Sequence, residues 1–318
     1  MKTMSFASLA YENKKKKTRR EQFLEEMNQV IPWEELTQVI KEHYPKAGNG
    51  RQPMPMERML RIYFMQQWYG LSDPAMEDAL YDIESMRRFA DIDIEVDMVP
   101  DETTILHFRH LLEKHNLTKQ VFEKTKKYLT EKGLLLREGT IVDATIINAP
   151  SSTKNREKTR DPEMRSTRKG NQYYFGMKAH VGTDTGRGLA HDVVVTDASV
   201  HDSQVMDKLV HGAEEAIYGD KAYSSKEKKN EYEARGVKWC VNLRSNRWQP
   251  LTEEEVASNH ERSQVRAKVE HAFRIVKHLW GYTKVRYKGL YKNAVQVFSL
   301  FALANLYLVR RELQMIRA

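Results

Sequence analysis

The stretch "GTIVDATIINA", residues 139–149, decides the fold. Its β-branched and apolar residues read as a strand, yet Asp143 stands in the middle of it. Aspartate is depleted in strands and costly to bury alone, so this one needs a partner or a function. Working outward from it, the chain changes character. Before residue 137 the periodicity is helical; after it, short strands alternate with turns.

Downstream, "YYFGMKAHV" (173–181) and "LAHDVVVTD" (189–197) read as two strands joined through "GTDTGRG" into a hairpin. The glycines of that turn do not match a phosphate loop, because no helix follows and the spacing fits no nucleotide fingerprint. Helix-like "HDSQVMDKLVHG" (201–212), strand "AIYGD" (216–220), helix "SSKEKKNEYEARG" (224–236), strand "VKWCVNL" (237–243) and a last helix complete the order β-β-β-α-β-α-β-α. That order predicts an α/β, ribonuclease H-like domain over 137–318: a mixed five-stranded sheet with helices on both faces. Its first and fourth strands are neighbours at the centre, so Asp143 and Asp220 are expected side by side. Asp220 ends its strand, where ligand crevices of α/β sheets form. Residues 150–172, polar and basic, are expected as a mobile loop.

The last helix contains "VRAKVEHAFRIVK" (265–277). At about 100° per residue, Arg266, Glu270, Arg274 and Lys277 share one stripe, and Val265, Val269, Ala272 and Val276 another. Glu270 alone reads as an ordinary surface ion-pair partner, worth roughly 0.2–0.5 kcal/mol per pair. Beside Asp143 and Asp220 it reads differently. Three converging carboxylates repel one another unless a cation lies between them, and oxygen-only ligands select Mg²⁺ or Mn²⁺ over zinc. Arg266, Arg274 and Lys277 would then lie along the path of a phosphate backbone.

Upstream, "KKKKTRR" (14–20) is a basic arm within a first segment, 1–48, and "NGRQP" (49–53) is a linker-like break. From 49 to 130 the pattern is all-α: Met56, Met59, Leu60, Tyr63, Phe64 and Trp68 form a stripe, and helix starts fall at Ser72–Asp73–Pro74 and at Asp101. Short helices with tight turns predict a helix-turn-helix-like unit, and residues 1–130 are expected to fold alone. His107, Arg109, His110 and Lys114 would be exposed on its last helix and available to a duplex.

Charge supports a polyanionic partner. The chain has 52 Lys+Arg against 44 Asp+Glu, net +8, and from Arg262 to Ala318 twelve Lys/Arg face only Glu270 and Glu312. Cys240, the only cysteine, excludes a disulfide framework and a cysteine-based zinc site. The uncharged stretch 293–309 is slightly short for a membrane span and carries Asn, Gln and Ser, so it is expected as a core helix, in a cytoplasmic, nucleoid-associated protein without membrane contact.

Taken together, these residues resemble the DDE transposases of bacterial insertion sequences, close to the insertion sequence 5 family. "IVDATI" carries the first Asp, "YGDKAY" the second, and Arg266, Glu270 and Lys277 the third acidic motif with its basic companions. The related signature has a tyrosine three positions before the arginine; Ser263 stands there instead. "LSDPAMEDALYD" through "PDETTILHFR" also resembles the helical domain that precedes the catalytic core, and the resemblance spans about residues 45–310. It implies a Mg²⁺-dependent enzyme, with Mn²⁺ able to substitute, in which Asp143, Asp220 and Glu270 hold metal. Acting on double-stranded DNA as a homodimer or higher complex, it would bind the terminal inverted repeats, cut the ends and join 3′-hydroxyls to target DNA. His201 and Asp202, in "VHDSQ", would support the site, though Asp202 also suits a helix N-cap. Trp248, in "SNRWQPLTEEE", either stacks on an unpaired base or packs over the sheet edge. Two rivals remain: a transposase-derived DNA-binding protein that no longer cuts, and a stand-alone ribonuclease H-type nuclease.

Overall fold

The computed structural model describes residues 11, 13–50, 52–245, 248 and 250–317. Helices α1 (Arg19–Val30), α2 (Trp33–Lys41), α3 (Met56–Tyr69), α4 (Asp73–Asp82), α5 (Glu84–Phe89), α6 (Glu102–Lys114) and α7 (Leu117–Glu131) come first. Three of these starts are capped by side chains, those at Ser72 and Asp101 where the sequence suggests. Thr18 and Glu21 form a capping box, Ser72 accepts from Ala75 N with Pro74 in the first turn, and Asp101 accepts from Thr104 N at 2.7 Å.

Strands β1 (Gly139–Asn148), β2 (Arg165–Lys169), β3 (Gln172–Asp184), β4 (Ala190–Asp197), β5 (Ala216–Gly219) and β6 (Lys238–Val241) form one mixed sheet. β1 pairs antiparallel with β3 and parallel with β5, and β5 pairs parallel with β6. Across the sheet the order β4-β3-β1-β5-β6 is that of ribonuclease H. The sheet has six strands rather than the five expected: the outer edge of β3 pairs with β2 through Gln172–Gly176 and with β4 from Met177 onward. Part of the expected 150–172 loop is therefore a strand. Its Met164 is buried, and the following alternation of exposed polar residues rests on the β3 edge.

The segment 201–212 also differs from expectation. It makes two 3-10 turns, Asp202–Gln204 and Met206–Lys208, instead of an α-helix. Lys178 on β3 donates to Val200 O at 2.7 Å and to the Asp202 carboxylate at 2.9 Å, which pins the chain to the sheet as it leaves β4. Beyond it lie α8 (Lys226–Ala234), α9 (Glu253–Arg266), α10 (Val269–Arg274) with a π-helical turn Ile275–Leu279, α11 (Leu290–Leu308) and α12 (Arg310–Arg317).

The core of the helical segment is continuous with that of the sheet. One apolar cluster runs from Leu24 through Phe64, Phe108 and Phe122 to Ile141, Phe273 and the α11 residues Leu300 to Leu306. α11 is threaded between helices and sheet: Ser299 meets Tyr63 OH at 3.0 Å, Gln296 donates to Gln67 at 2.9 Å, and Asn305 holds both backbone groups of Ala190. The stretch read as a core helix is indeed buried, and no single helix among the described residues is long and apolar enough to cross a membrane. A fragment of residues 1–130, expected from the sequence to fold alone, would lack α11 and leave exposed the apolar face that packs on it.

Candidate active site

β1 and β5 run parallel and in register up to Val142 opposite Gly219, so the next residues, Asp143 and Asp220, stand at neighbouring strand positions. The sequence arranges this locally. Gly219 lets the backbone pass over Val142 and Tyr223, whose side chains a Cβ would meet at 3.1 and 3.3 Å. Asp220 then caps the turn Lys221–Tyr223, accepting from Ala222 N at 2.8 Å. Its carboxylate is thereby fixed at the mouth of the sheet.

Asp143 leaves only 13 % of its side chain exposed. One carboxylate oxygen accepts from Ala144 N at 2.8 Å and the other from Arg266 Nη1 at 2.9 Å. Burial pushes its carboxyl up to about 6; Arg266 and the Ala144 amide pull it down, and the charges of Asp220 and Glu270 push it up again. So both other predicted carboxylates act on it through space. Glu270 itself is exposed, in the first turn of α10.

The predicted two-faced helix is present but broken at Ala267–Lys268. Val269, Ala272 and Val276 are buried, while Glu270 and Arg274 face outward. Lys277 is half-buried and points to β1, donating to Thr145 Oγ1 at 3.1 Å and Ile146 O at 3.0 Å. Burial, and next the charge of Lys169 in β2, hold its ammonium below the usual lysine range. Ser263, where the related signature has tyrosine, accepts from Asn242 Nδ2 at 2.9 Å and so ties α9 to the end of β6.

Beside Asp220 and Arg266 an open cleft of about 820 Å³ is lined by Lys221, Asn242, Arg244 and His201. His201 is exposed and caps the first 3-10 turn, the role anticipated for Asp202. Asp202 instead pairs with Lys178 at 2.9 Å and lies 3.7 Å from His180 Nδ1. His180 is fully buried; burial first, then Lys178, lower its pKa to about 4 against the pull of Asp202. Tyr223, also buried, has a hydroxyl without a hydrogen-bond partner among the described residues, and burial with the charges of Asp202, Asp143 and Asp220 raises its pKa. Lys178, His180 and Tyr223 were missed by the sequence reading. The signal available was a lysine and a histidine in alternation within an otherwise apolar strand, "GMKAHV".

Two expected DNA contacts fare differently. Trp248 is 88 % exposed; Arg247 beside it lies outside the described residues. Arg109 is not an exposed reader. It is buried, bonded to Asp73 at 2.7 Å and Glu113 at 3.0 Å, and its guanidinium lies 4.6 Å from the Tyr287 ring centroid. Helical position 109 faces inward with Phe108 and Leu112, and a buried guanidinium must be paired. His107, His110 and Lys114 are exposed on α6 as expected.

Comparison with known proteins agrees with this arrangement. Residues 135–306 match the family described as the transposase DDE domain. The chain belongs to the DDE transposase family. Residues 12–111 match a second family, described as a transposase domain (DUF772), so the helical part of the transposase is recognised as well as the sheet. Among solved structures, the chain is similar to a piggyBac transposase synaptic complex with hairpin DNA: 10 % identity, TM-score 0.45, covering 92 % of this chain and 73 % of that one.

In the folded transposase, among the described residues, no three His, Cys, Asp or Glu side chains are placed to hold a metal ion together. The donor chemistry nevertheless suits a hard divalent cation: carboxylate oxygens only, with mutual repulsion at Asp143 and a cationic guanidinium already against it.

Proposed function

We propose that this chain is the transposase of a bacterial insertion sequence, of the insertion sequence 5 type, which binds the terminal repeats of its element, cleaves phosphodiester bonds there and joins the 3′-hydroxyl ends to target DNA. The observation that carries this reading is the placement of Asp143, within β1, and Asp220, just past the end of the neighbouring β5, at adjacent positions within electrostatic reach of Glu270. Those three residues would hold Mg²⁺ or Mn²⁺. Such ions, when bound, activate the attacking oxygen and stabilise the leaving one.

The remaining work falls to the chain's own groups. Arg266 neutralises Asp143 in the absence of another cation and is the group that must turn away to meet a phosphate. Lys277 and Arg274 line the approach on the β1 side, and Lys221 and Arg244 line the cleft on the other. His201 stands at the cleft, where its ring can meet a nucleotide; Asp202 and Lys178 position it through the backbone of the turn. The chain acts as a dimer or higher complex, so that two ends are handled together. An intact carboxylate set speaks for cutting rather than mere binding, and a preceding helical transposase domain speaks for a partner with specific ends rather than a stand-alone nuclease.

Alanine at Asp143, Asp220 or Glu270 should lower cleavage of the native element ends more than about a hundredfold, a loss above ~2.7 kcal/mol, with end binding nearly unchanged. Titration calorimetry with Mn²⁺ should lose its heat in the same variants. A variant that keeps more than a hundredth of the cleavage and its Mn²⁺ heat is not a ligand.

Trp248 stacks on an unpaired base near the cut in this reading, supported by its exposure and by its sequence position four residues beyond Arg244 of the cleft. Only fifty positions separate Asp220 from Glu270, so the device is a short loop rather than an inserted domain. Trp248→Ala should weaken binding to pre-cut ends with unpaired bases by about 1–3 kcal/mol and spare intact duplex. Equal losses on the two substrates would remove the stacking role.

A further inference from the structure

We propose that the two-stranded ribbon of β2 and the first residues of β3, Arg165 to Tyr173, is a phosphate-gripping arm that holds duplex DNA where it passes the end of β1. The inference rests on the transposase reading and assigns a binding surface outside the acidic motifs and the helical domain.

The root of the ribbon is rigid. Met164 is buried in the main core, Phe175 packs against that core, and Ala149 N and Ala198 N bond to Phe175 O and Gly176 O at 2.7 and 3.1 Å. Gly176 is needed there, because a Cβ would come within 2.1 Å of Ile147 O. Beyond this root the register runs Ser166 with Phe175, Thr167 with Tyr174, Arg168 with Tyr173 and Lys169 with Gln172, and the outer residues are exposed.

The exposed part is uniformly cationic. Between Met164 and Thr183 the sequence contains no Asp or Glu. Arg165 and Lys169 make no ion pair among the described residues. Arg168 is aimed along the ribbon by Gly170 O and Asn171 Oδ1 and lies 5.6 Å from the centroid of the exposed Tyr173 ring. Exposed edge strands commonly carry lysine to discourage pairing. That purpose alone does not require three cations, nor a root this firmly tied to the core.

The location and spacing point to duplex DNA. The ribbon continues from the end of the strand that carries Asp143: its root residue Gly176 pairs with Asn148 on one side and Arg165 on the other, five positions along β1 from Asp143. The arm therefore extends from the sheet on the strand of the first aspartate. Arg165 and Lys169, on one face of a strand, are about 13 Å apart. That is close to the ≈12 Å width of the B-DNA major groove, so each can meet a phosphate on opposite rims.

The test uses the full chain and a random-sequence duplex, with affinity measured over a salt series. Neutralising R165Q/R168Q/K169Q should weaken binding at least tenfold at about 0.1 M salt and reduce the salt slope by about two, since each phosphate contact contributes about 0.9 to it. The charge-keeping R165K/R168K/K169R should retain the slope, and melting temperatures should be unchanged in both variants. A neutral variant that keeps the wild-type slope and affinity overturns the arm while leaving the transposase reading intact. If wild-type protein fails to bind duplex at all, both are overturned. Gly176→Val, which dislodges the root without altering charge, should lose part of the slope; a full slope in this variant with a normal melting temperature would show that the ribbon's placement is immaterial.

Discussion

Arg109 in the helical part and Arg266 beside the sheet each meet an aspartate, but only Arg109 bonds a second carboxylate. Arg109 has two carboxylates, Asp73 and Glu113, a tyrosine face behind it and almost no exposure. Although burial works against its charge, Asp73 and its neighbours hold its pKa above the usual arginine value. Arg266 bonds Asp143 alone, while Asp220 and Glu270 act on that carboxyl through space and burial holds it near 6. The first cluster uses its one guanidinium on two carboxylates and ties α4 to α6. In the second, Asp220 and Glu270 have no ion pair among the described residues. A buried ion pair by itself is weak grounds for either role; the carboxylates left without a bonded cation distinguish them.

The comparison can be broken most visibly at Arg109. Arg109→Ala leaves the buried Glu113 and the half-buried Asp73 without their shared cation and should cost about 3–5 kcal/mol of stability, read by urea denaturation, with cleavage per folded molecule unchanged. Arg266→Ala should instead lower cleavage. If Arg109→Ala left stability intact but abolished DNA binding, the exposed-reader expectation would regain its place.

A smaller effect sharpens the charge argument at Asp143. Its folded carboxyl keeps a proton to about 6, above its ordinary 3.8. The stability this group contributes is therefore complete below pH 3.8 and lost as pH rises through 6. In a chelating buffer the wild type should lose at most about 2–3 kcal/mol over that window relative to Asp143→Asn, which has no proton to give up. Parallel stability curves for the two proteins between pH 4 and 7 would show that Asp143 is not strained by its neighbours.

Lys277 gives the smallest expected change. Its ammonium already has two acceptors on β1, so Lys277→Ala should lower the salt slope of DNA binding by no more than about 0.9, one phosphate, together with a modest loss of cleavage. An unchanged slope with full activity would make it a strand anchor only.

Much of this molecule is legible before folding. Alternation around Asp143, the "AIYGD" strand and the paired stripes of 265–277 place three carboxylates, and helix starts at Ser72 and Asp101 are visible because a cap is a contact between residues three apart. Strand order follows from element order, since βαβ connections allow few topologies. What failed was decided at a distance. Arg109 sits on a helix whose inward face cannot be told from its outward face without Asp73, 36 positions earlier, and Tyr287. The segment 201–212 has a helical pattern, but Lys178 on another strand takes its start.

The sequence by itself determined the local periods, the caps and the identity of the acidic and basic residues, because those depend on neighbours within a turn or a strand. Only the tertiary structure decided which charges are neutralised and which remain. Arg266 and Asp143 are 123 positions apart, and the field at Asp143 depends on burial and on two further strands and helices meeting there. Electrostatic energy in a partly buried site falls steeply with distance and solvent, so a pattern of charges along the chain cannot rank them until the fold has set both.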